Sequence, residues 1–365
     1  MDTCARDIVF DENGICNYCT EFLSSSSSVL NEDPENKNQK LEEFVKEVKD
    51  DGKGKPYDCI IGVSGGVDSS WVLVQAVKLG LRPLAVHMDN GWNSELAQNN
   101  IANLVRGLGV DLFTYVIDWE EYRGLMQAFF DADVVDVELL YDNAMLGVNY
   151  QQANKWGIKH ILAGTNLATE GMRMPHQWNW FKYDARNIRG IVKRFSKTSI
   201  KTFPIFSTLD FVYYKYIKKI KWASFLDLTN YRKKEVLKIL EDEYGYKPYP
   251  YKHYESIFTR FYQGYILPKK FTIDKRTVHL SSLILTGQML RDEAIICLNS
   301  IPYPNINDQN NDITYFIKKL KWPSGHLEVY LDRPGVCHDF YPTEEPLYKL
   351  LECFYKRYLK KMKIK

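Results

Sequence analysis

Residues 57–71 read YDCIIGVSGGVDSSW, and this stretch decides the fold. An apolar run, Cys59, Ile60, Ile61 and Val63, breaks abruptly into two glycines, an aspartate and serines. The run is short and β-branched, which predicts a central strand rather than a helix. Gly65 and Gly66 allow positive φ and close approach of the backbone to a bulky group. From Ser69 and Ser70 onward, WVLVQAVKLG reads as a helix that Gly80 stops. A strand, a glycine-rich turn and a helix start together make an anion site, because unpaired N–H groups point at the ligand. The expected anion is phosphate.

A Walker A loop requires Gly-x-x-x-x-Gly-Lys-Ser/Thr, and no lysine stands here. A plain tight turn between strand and helix is the bland alternative. Ser-Gly-Gly-Val-Asp-Ser in this position resembles the PP-loop of ATP pyrophosphatases. The resemblance implies cleavage of ATP between its α and β phosphates, with adenylation of a substrate. It implies that Ser64, Gly65, Gly66, Val67, Ser69 and Ser70 hold pyrophosphate through N–H groups and hydroxyls. Asp68 would help place magnesium or the helix start, and Ser64 and Asp68 become candidate catalytic residues.

Composition bounds the rest. The 365 residues suffice for one large α/β domain or two smaller ones, and 45% hydrophobic content suits a packed globular protein. A formal charge of +2 gives no general pull toward nucleic acid or anionic membrane. Seven cysteines in a chain this long do not make a secreted disulfide scaffold. No signal peptide and no run of eighteen apolar residues is evident, so the expected location is the cytoplasm.

Working outward from the loop, RPLAVHM, DLFTYVI and IKHILAG read as further strands, separated by the helical stretches ELAQNNIANLVRGLG, WEEYRGLMQAFFDA and 143–157. This alternation predicts an α/β doubly wound parallel sheet, with ligands at the carboxyl ends of the strands. Those ends carry Ser64 to Ser69, then HMDNGW (87–92), then GTNLATEG (164–171). The expected organisation is a cysteine-bearing head (1–23), a linker and helix (24–55), a PP-loop domain (56–205) and a mostly helical C-terminal region (206–365). SSSSSVLNEDPENKNQK has the low-complexity composition of a linker or mobile loop. Residues 189–221 carry nine Lys or Arg and one acid, the pattern of a solvated helix face or of a phosphate- or RNA-facing surface. FVYYKYIKKIKWA within that region reads as amphipathic.

In the head, FDENGICNYC places Cys16 and Cys19 two residues apart around a turn. One Cys-x-x-Cys supplies half of a structural zinc site, Cys4 is a candidate third ligand, and four ligands are usual. Two ordinary reduced thiols in a turn are the alternative. No cysteine lies between Cys59 and Cys297, which counts against PP-loop enzymes that thiolate tRNA. Asp2 follows the initiator methionine, so an N-terminal glutaminase cysteine is missing.

DIVFDENGICNYC, YDCIIGVSGGVDSS, AVHMDNGWNSELAQNNI, ILAGTNLATEGMRMP, KTFP and DKRTVHLSSLILTGQMLRDEAI together resemble the bacterial N-acetyl sugar amidotransferases, in order over residues 1 to about 300. The resemblance implies conversion of an acetamido group on a surface-polysaccharide sugar, as in lipopolysaccharide O-antigen synthesis, into an acetamidino group. It implies ATP and magnesium, a nucleotide-linked sugar substrate, and a glutaminase partner like the amidotransferase subunit of imidazole glycerol phosphate synthase, sometimes with a cyclase-like subunit. Members usually open with a further Cys-x-x-Cys before the Met-Asp-Thr segment, where this chain starts; a weak zinc site is the resulting expectation. Within this frame His87 and Asp89 are candidate nucleotide or magnesium contacts, although Asp89 is equally a helix cap or turn residue. Gly164, Thr165 and Asn166 are placed to line the adenylate, and Glu170 to meet magnesium or the amine. In MRMPHQWNWFKYD, Arg173, His176, Lys182 and Asp184 are candidates for the sugar and its phosphates, Lys182 with a catalytic role; an aromatic insertion packed on the core is the alternative. A tRNA-modifying PP-loop ligase and a non-catalytic nucleotide-binding module are the competing classes of function.

Overall fold

In the computed structural model, which describes residues 1–250 and 254–355, five short strands form one sheet. They are β1 (Cys59–Gly62), β2 (Pro83–Asp89), β3 (Asp111–Val116), β4 (His160–Ala163) and β5 (Lys221–Ser224). The order is β3-β2-β1-β4-β5 and every pairing is parallel. The chain therefore reverses direction between β1 and β4, the topological switch point where such sheets hold ligands. The expected doubly wound α/β architecture is present.

The sheet is buried on both faces because successive side chains alternate between them. Ile60, Leu84, Val86, Met88 and Ile161 enter one apolar cluster. Cys59, Ile61, Val63, Ala85 and Leu162 enter the other.

The helices in chain order are α1 (Asn17–Leu30), α2 (Pro34–Asp51), α3 (Val67–Lys78), α4 (Glu95–Leu108), α5 (Trp119–Asp131), α6 (Leu139–Lys155), α7 (Leu167–Glu170) and α8 (Ala185–Phe195). After these come α9 (Thr208–Val212), α10 (Lys233–Tyr244), α11 (Ile257–Phe261) and α12 (Arg276–Leu285). The remainder are α13 (Arg291–Asn299), α14 (Ile306–Leu320), α15 (His326–Asp332) and α16 (Glu345–Phe354). No helix among the described residues is long and apolar enough to cross a membrane.

Three sequence expectations are corrected. The low-complexity stretch expected as a linker is helical, with the serine run inside α1 and its continuation inside α2. Tyr18 and Phe22 bury one side of α1, while Ser24 and Ser25 hydroxyls bond back to the Glu21 carbonyl. Packing of the apolar stripe has overridden weak helix propensity. The amphipathic segment expected as a helix divides into α9, a π-helical turn (213–217) and β5. The sheet consequently runs past residue 205, because β5 pairs with β4 through His160 to Ala163. The basic stretch 189–221 is not one face: Arg194 lies over the Phe195, Phe340 and Tyr341 rings, and Lys221 pairs with Glu47.

The C-terminal region is locked onto the loop after β2. Ser94 N–H donates to the Glu255 carbonyl and Ile257 N–H to that of Trp92. Fully buried Trp92 packs against Trp119, Phe258 and Phe316. The KTFP segment docks on one side chain: Glu121 accepts from the Lys201, Thr202 and Phe203 N–H groups and the Thr202 hydroxyl.

Candidate active site

β1 ends at the sheet's switch point, and the chain turns there through Gly65 at φ +84°. A Cβ on Gly65 would stand 2.8 Å from the Ala97 carbonyl oxygen of α4, so both the angle and the space exclude larger residues. The Gly65 carbonyl accepts from the Tyr246 and Tyr249 hydroxyls, each at 3.0 Å. Asn100 of α4 holds that tyrosine segment through the Lys247 backbone and the Tyr249 hydroxyl. The loop is therefore fixed by its carbonyl, which leaves the N–H groups at the start of α3 as donors. Gly66 caps α3 without a side-chain bond to those groups. Ser64 and Ser69 hydroxyls lie 3.3 Å apart, and the Ser64 hydroxyl accepts from Gly66 N–H. Gly164, at the end of β4, closes the far side: a Cβ there would be 2.8 Å from Ser69 N.

Above this loop lies a chamber of about 650 Å³ lined by Ser64, Gly66, Val67, Asp68, Ser69 and Gly164. Lys233 and Lys234 from the start of α10 face it as well. Fixed N–H donors, hydroxyls and two ammonium groups suit a polyphosphate. Asp68 accepts from the Tyr231 hydroxyl. Burial, and then the charge of Asp68, push the Tyr231 phenol far above its ordinary range, so it stays a donor. Magnesium takes oxygen ligands, and Asp68, Glu170 and Glu255 supply carboxylates to this lining, so the donor set fits it.

A second chamber of about 600 Å³ shares Ser64, Glu170 and Glu255 with the first. Its other walls bring Asn90, Asn93, Asp142 and Thr165 from the sheet side, and Gln263, Lys275 and His279 from the C-terminal region. Glu138 accepts from Lys275 at 2.9 Å and from Gln263. Burial raises the Asp142 carboxyl, Lys182 opposes this, and neighbouring Asp136 adds to the rise.

The structure sorts the remaining sequence candidates. Glu170 and Thr165 line the second chamber, while Asn166 caps α7, its side chain accepting from Thr169. Buried His87 donates from Nδ1 to the Val63 carbonyl and accepts at Nε2 from Asn93, so it shapes the β1 and β2 ends. Asp89 accepts from Gly91 N–H and Asn93, the turn role. Arg173 lines the second chamber but is held by Glu21 at 2.9 Å and lies over the Tyr18 ring.

Three expected substrate or catalytic roles are corrected. Lys182 sits between Asp136 at 2.7 Å and Asp142 at 2.9 Å. Burial works against its charge, but the two carboxylates outweigh it and raise the amine, which makes Lys182 a fixed cation positioning Asp142 rather than a base. Asp184 is fully buried as the cap of α8. His176 pairs at the surface with Glu345 at 2.9 Å and lines neither chamber.

In the head, the Cys16 and Cys19 sulfurs are 3.2 Å apart. Burial, and then the Cys16 sulfur, push the Cys19 thiol up to about 11. Cys4 is exposed and does not complete a three-ligand group with them among the described residues. Two thiols alone do not match a structural zinc site.

The sequence reading missed Tyr231, Lys233, Lys234, Asp142, Glu255, Lys275 and His279. NYRKKE looks like any exposed helix start, and only the quoted stretch DKRTVHLSS pointed toward Lys275 and His279.

Comparison with known families bears on that C-terminal wall. Residues 255–356 match the family model described as "LPS biosynthesis protein WbpG-like, C-terminal domain". The expected likeness to surface-polysaccharide enzymes thus holds for this domain, which supplies Glu255, Gln263, Lys275 and His279 to the site. A comparison with curated proteins gives no match. Similar solved structures include NMN synthetase from Francisella tularensis, at 14% identity and a TM-score of 0.36, covering 76% of this chain and 96% of that one. Another is the NH3-dependent NAD synthetase from Campylobacter jejuni subsp. jejuni NCTC 11168 in complex with the nitrate ion, at 12% identity and a TM-score of 0.32, covering 71% and 98%. A predicted subunit of tRNA methyltransferase from Methanocaldococcus jannaschii DSM has 14% identity and a TM-score of 0.29, covering 50% and 74%.

Proposed function

We propose that the chain is an ATP-dependent, AMP-forming amidotransferase that converts the acetamido group of a nucleotide-linked sugar into an acetamidino group for surface-glycan synthesis. One observation carries this reading: the glycine-rich loop after β1 lines one chamber, the WbpG-like region forms the far wall of a second, and the two chambers share Ser64, Glu170 and Glu255.

An amide carbon is a poor electrophile and its oxygen a poor leaving group. Attack of that oxygen on the α-phosphorus of ATP forms the O–P bond, breaks the α–β bridge and releases pyrophosphate. Ammonia then adds to the imidate carbon, the C–O bond breaks, AMP leaves and an amidine remains. The N–H groups and hydroxyls of residues 64–70, with Lys233 and Lys234, hold the departing pyrophosphate without reorganising. Magnesium, held by Asp68 and Glu170 when bound, would neutralise phosphate charge. Asp142, fixed by Lys182, is placed in the second chamber to take the proton that ammonia loses. Nitrogen comes from a glutaminase partner, since an imidate open to water would revert to the amide.

The test is AMP and amidine formation from ATP, magnesium, ammonium and an N-acetylated nucleotide sugar. Ser64→Ala should lower turnover about a hundredfold, the loss typical of one preorganised donor. Asp68→Ala should abolish turnover, with the thermal transition of both variants unchanged within a few degrees. Full activity in both would remove the assignment.

A further inference from the structure

A third cavity, about 570 Å³, lies beyond Tyr231 and shares no lining residue with either chamber of the site. It sits between the end of α1, the start of α2 and the turns that follow β5 and α12. Lys37 of α2 lines it and is nine-tenths buried. Among the described residues its ammonium has no hydrogen-bond or ion-pair partner within 4 Å; Asp227 and Glu32 act on it only as more distant charges. The Lys37 stem is packed while its ammonium reaches the solvent of the cavity, so the charge is open to an anion that enters. Asn31 and Asn230, both exposed, also stand on this lining. Arg232 stands at the rim and Asp227 offers an acceptor.

We propose that this cavity binds a small polyhydroxylated anion of the sugar-phosphate class, its phosphate paired with Lys37 and Arg232 and its hydroxyls with Asn31, Asn230 and Asp227. Two connections run from the cavity wall to the site. Tyr231 lines the cavity while its hydroxyl holds Asp68 of the phosphate loop. The Ala168 carbonyl of α7 accepts from Thr286 and Gln288 on the cavity wall, and α7 ends at Glu170. Occupancy therefore changes the pyrophosphate affinity of the loop, and by linkage pyrophosphate changes the cavity's affinity by the same factor. This coupling rests on the ATP reading above, whereas binding itself does not.

The experiment is reductive methylation of the full chain, read at Lys37 by mass spectrometry, with glucose 6-phosphate or inorganic phosphate as the probe. Glucose 6-phosphate should protect Lys37 at about tenfold lower concentration than inorganic phosphate, and Arg232→Ala should weaken protection by about tenfold, the loss expected for one charge-assisted contact. Calorimetric binding of glucose 6-phosphate should fall likewise in Lys37→Met, a variant that keeps the stem and should fold at least as stably. Unchanged Lys37 reactivity, unchanged binding in Lys37→Met, or equal protection by inorganic phosphate (an adventitious ion only) would overturn the site. Direct titration with pyrophosphate reads the coupling: its affinity should shift several-fold with glucose 6-phosphate, and the shift should vanish in Tyr231→Phe. No shift in the wild-type chain refutes the coupling. Failure of pyrophosphate to bind at all counts against the ATP reading, and Lys37 protection still decides the site.

Discussion

Fully buried Asp184 collects four donors, the Trp180 indole N–H and the Asn187 backbone N–H in the interior and the Thr343 hydroxyl and Glu344 backbone N–H from a half-buried segment. Removing the carboxylate leaves buried donors without partners, so Asp184→Ala should cost about 3 kcal/mol in denaturant unfolding. At the exposed neighbour His176 the same substitution should stay within about 0.5 kcal/mol. A sequence cannot separate these two, because both are polar residues in one aromatic stretch and only the fold decides which is enclosed. His338 makes a sharper case. It is fully buried, donates from Nδ1 to Asn187 and accepts from the Asp136 N–H. Burial lowers its pKa to about 3, with Asp136 opposing and Lys182 assisting. The unfolded chain binds this proton near the ordinary histidine value of about 6.5, so between there and pH 3 it holds more protons than the folded chain. Stability contributed here is complete above about pH 6.5 and is lost as the pH falls toward 3. Urea midpoints measured between pH 7 and 4 should fall with acid, and less steeply in His338→Gln; equal slopes would show that other groups control the acid limb.

The loop between β1 and α3 was legible because a β-branched run ending in two glycines permits few structures; Gly65 takes the positive φ the sequence calls for, while Gly66 caps α3 in an extended conformation. Gly164 carries an equally strict demand that only the packing reveals. Its Cα faces the α3 backbone, and a methyl group would lie 2.8 Å from Ser69 N and 3.0 Å from the Asp68 carbonyl carbon. Backbone cannot yield as a flexible side chain does, so Gly164→Ala should cost about 2 kcal/mol by overpacking. It should also weaken pyrophosphate binding, since the displaced atoms carry the cradle. Calorimetric titration of the variant checks this, and wild-type affinity would mean that the loop has slack. The serine run of α1 failed in the opposite direction. Composition argued for a mobile segment, whereas Tyr18 and Phe22, on one stripe, anchor the helix against the rest of the chain. β5 was missed because four residues of mixed polarity at a sheet edge carry no period long enough to read.

At the scale of the whole molecule, the second chamber draws residues from positions as far apart as Ser64 and His279. No local pattern joins them. The phosphate loop could be read from one segment, but Glu255, Gln263 and Lys275 acquire a role only when the Trp92 contacts fold the C-terminal region over the switch point. The same linings bear on the nitrogen source of the proposed reaction. The two linings mix carboxylates, hydroxyls and ammonium groups with apolar side chains such as Met172, Phe258 and Leu237, and among the described residues neither contains a cysteine; Cys297 stands on an adjoining cavity that shares Lys233 with the first chamber and Gln263, Lys275 and His279 with the second. No cysteine in either lining is available to attack a glutamine amide. The chain alone should therefore make amidine from ammonium and none from glutamine. Ammonium at pH 7 is almost wholly protonated, so the alone-rate should rise about tenfold per pH unit from 7 toward 9, following the free base, until another group titrates. A glutaminase that delivers ammonia directly would bypass that protonation, and its addition should restore glutamine-dependent turnover while flattening the pH dependence. Amidine formed from glutamine by the purified chain would show a hydrolytic centre outside these two chambers. A pH-independent rate with ammonium would mean that proton removal occurs inside the site, with Asp142 as the residue to substitute next.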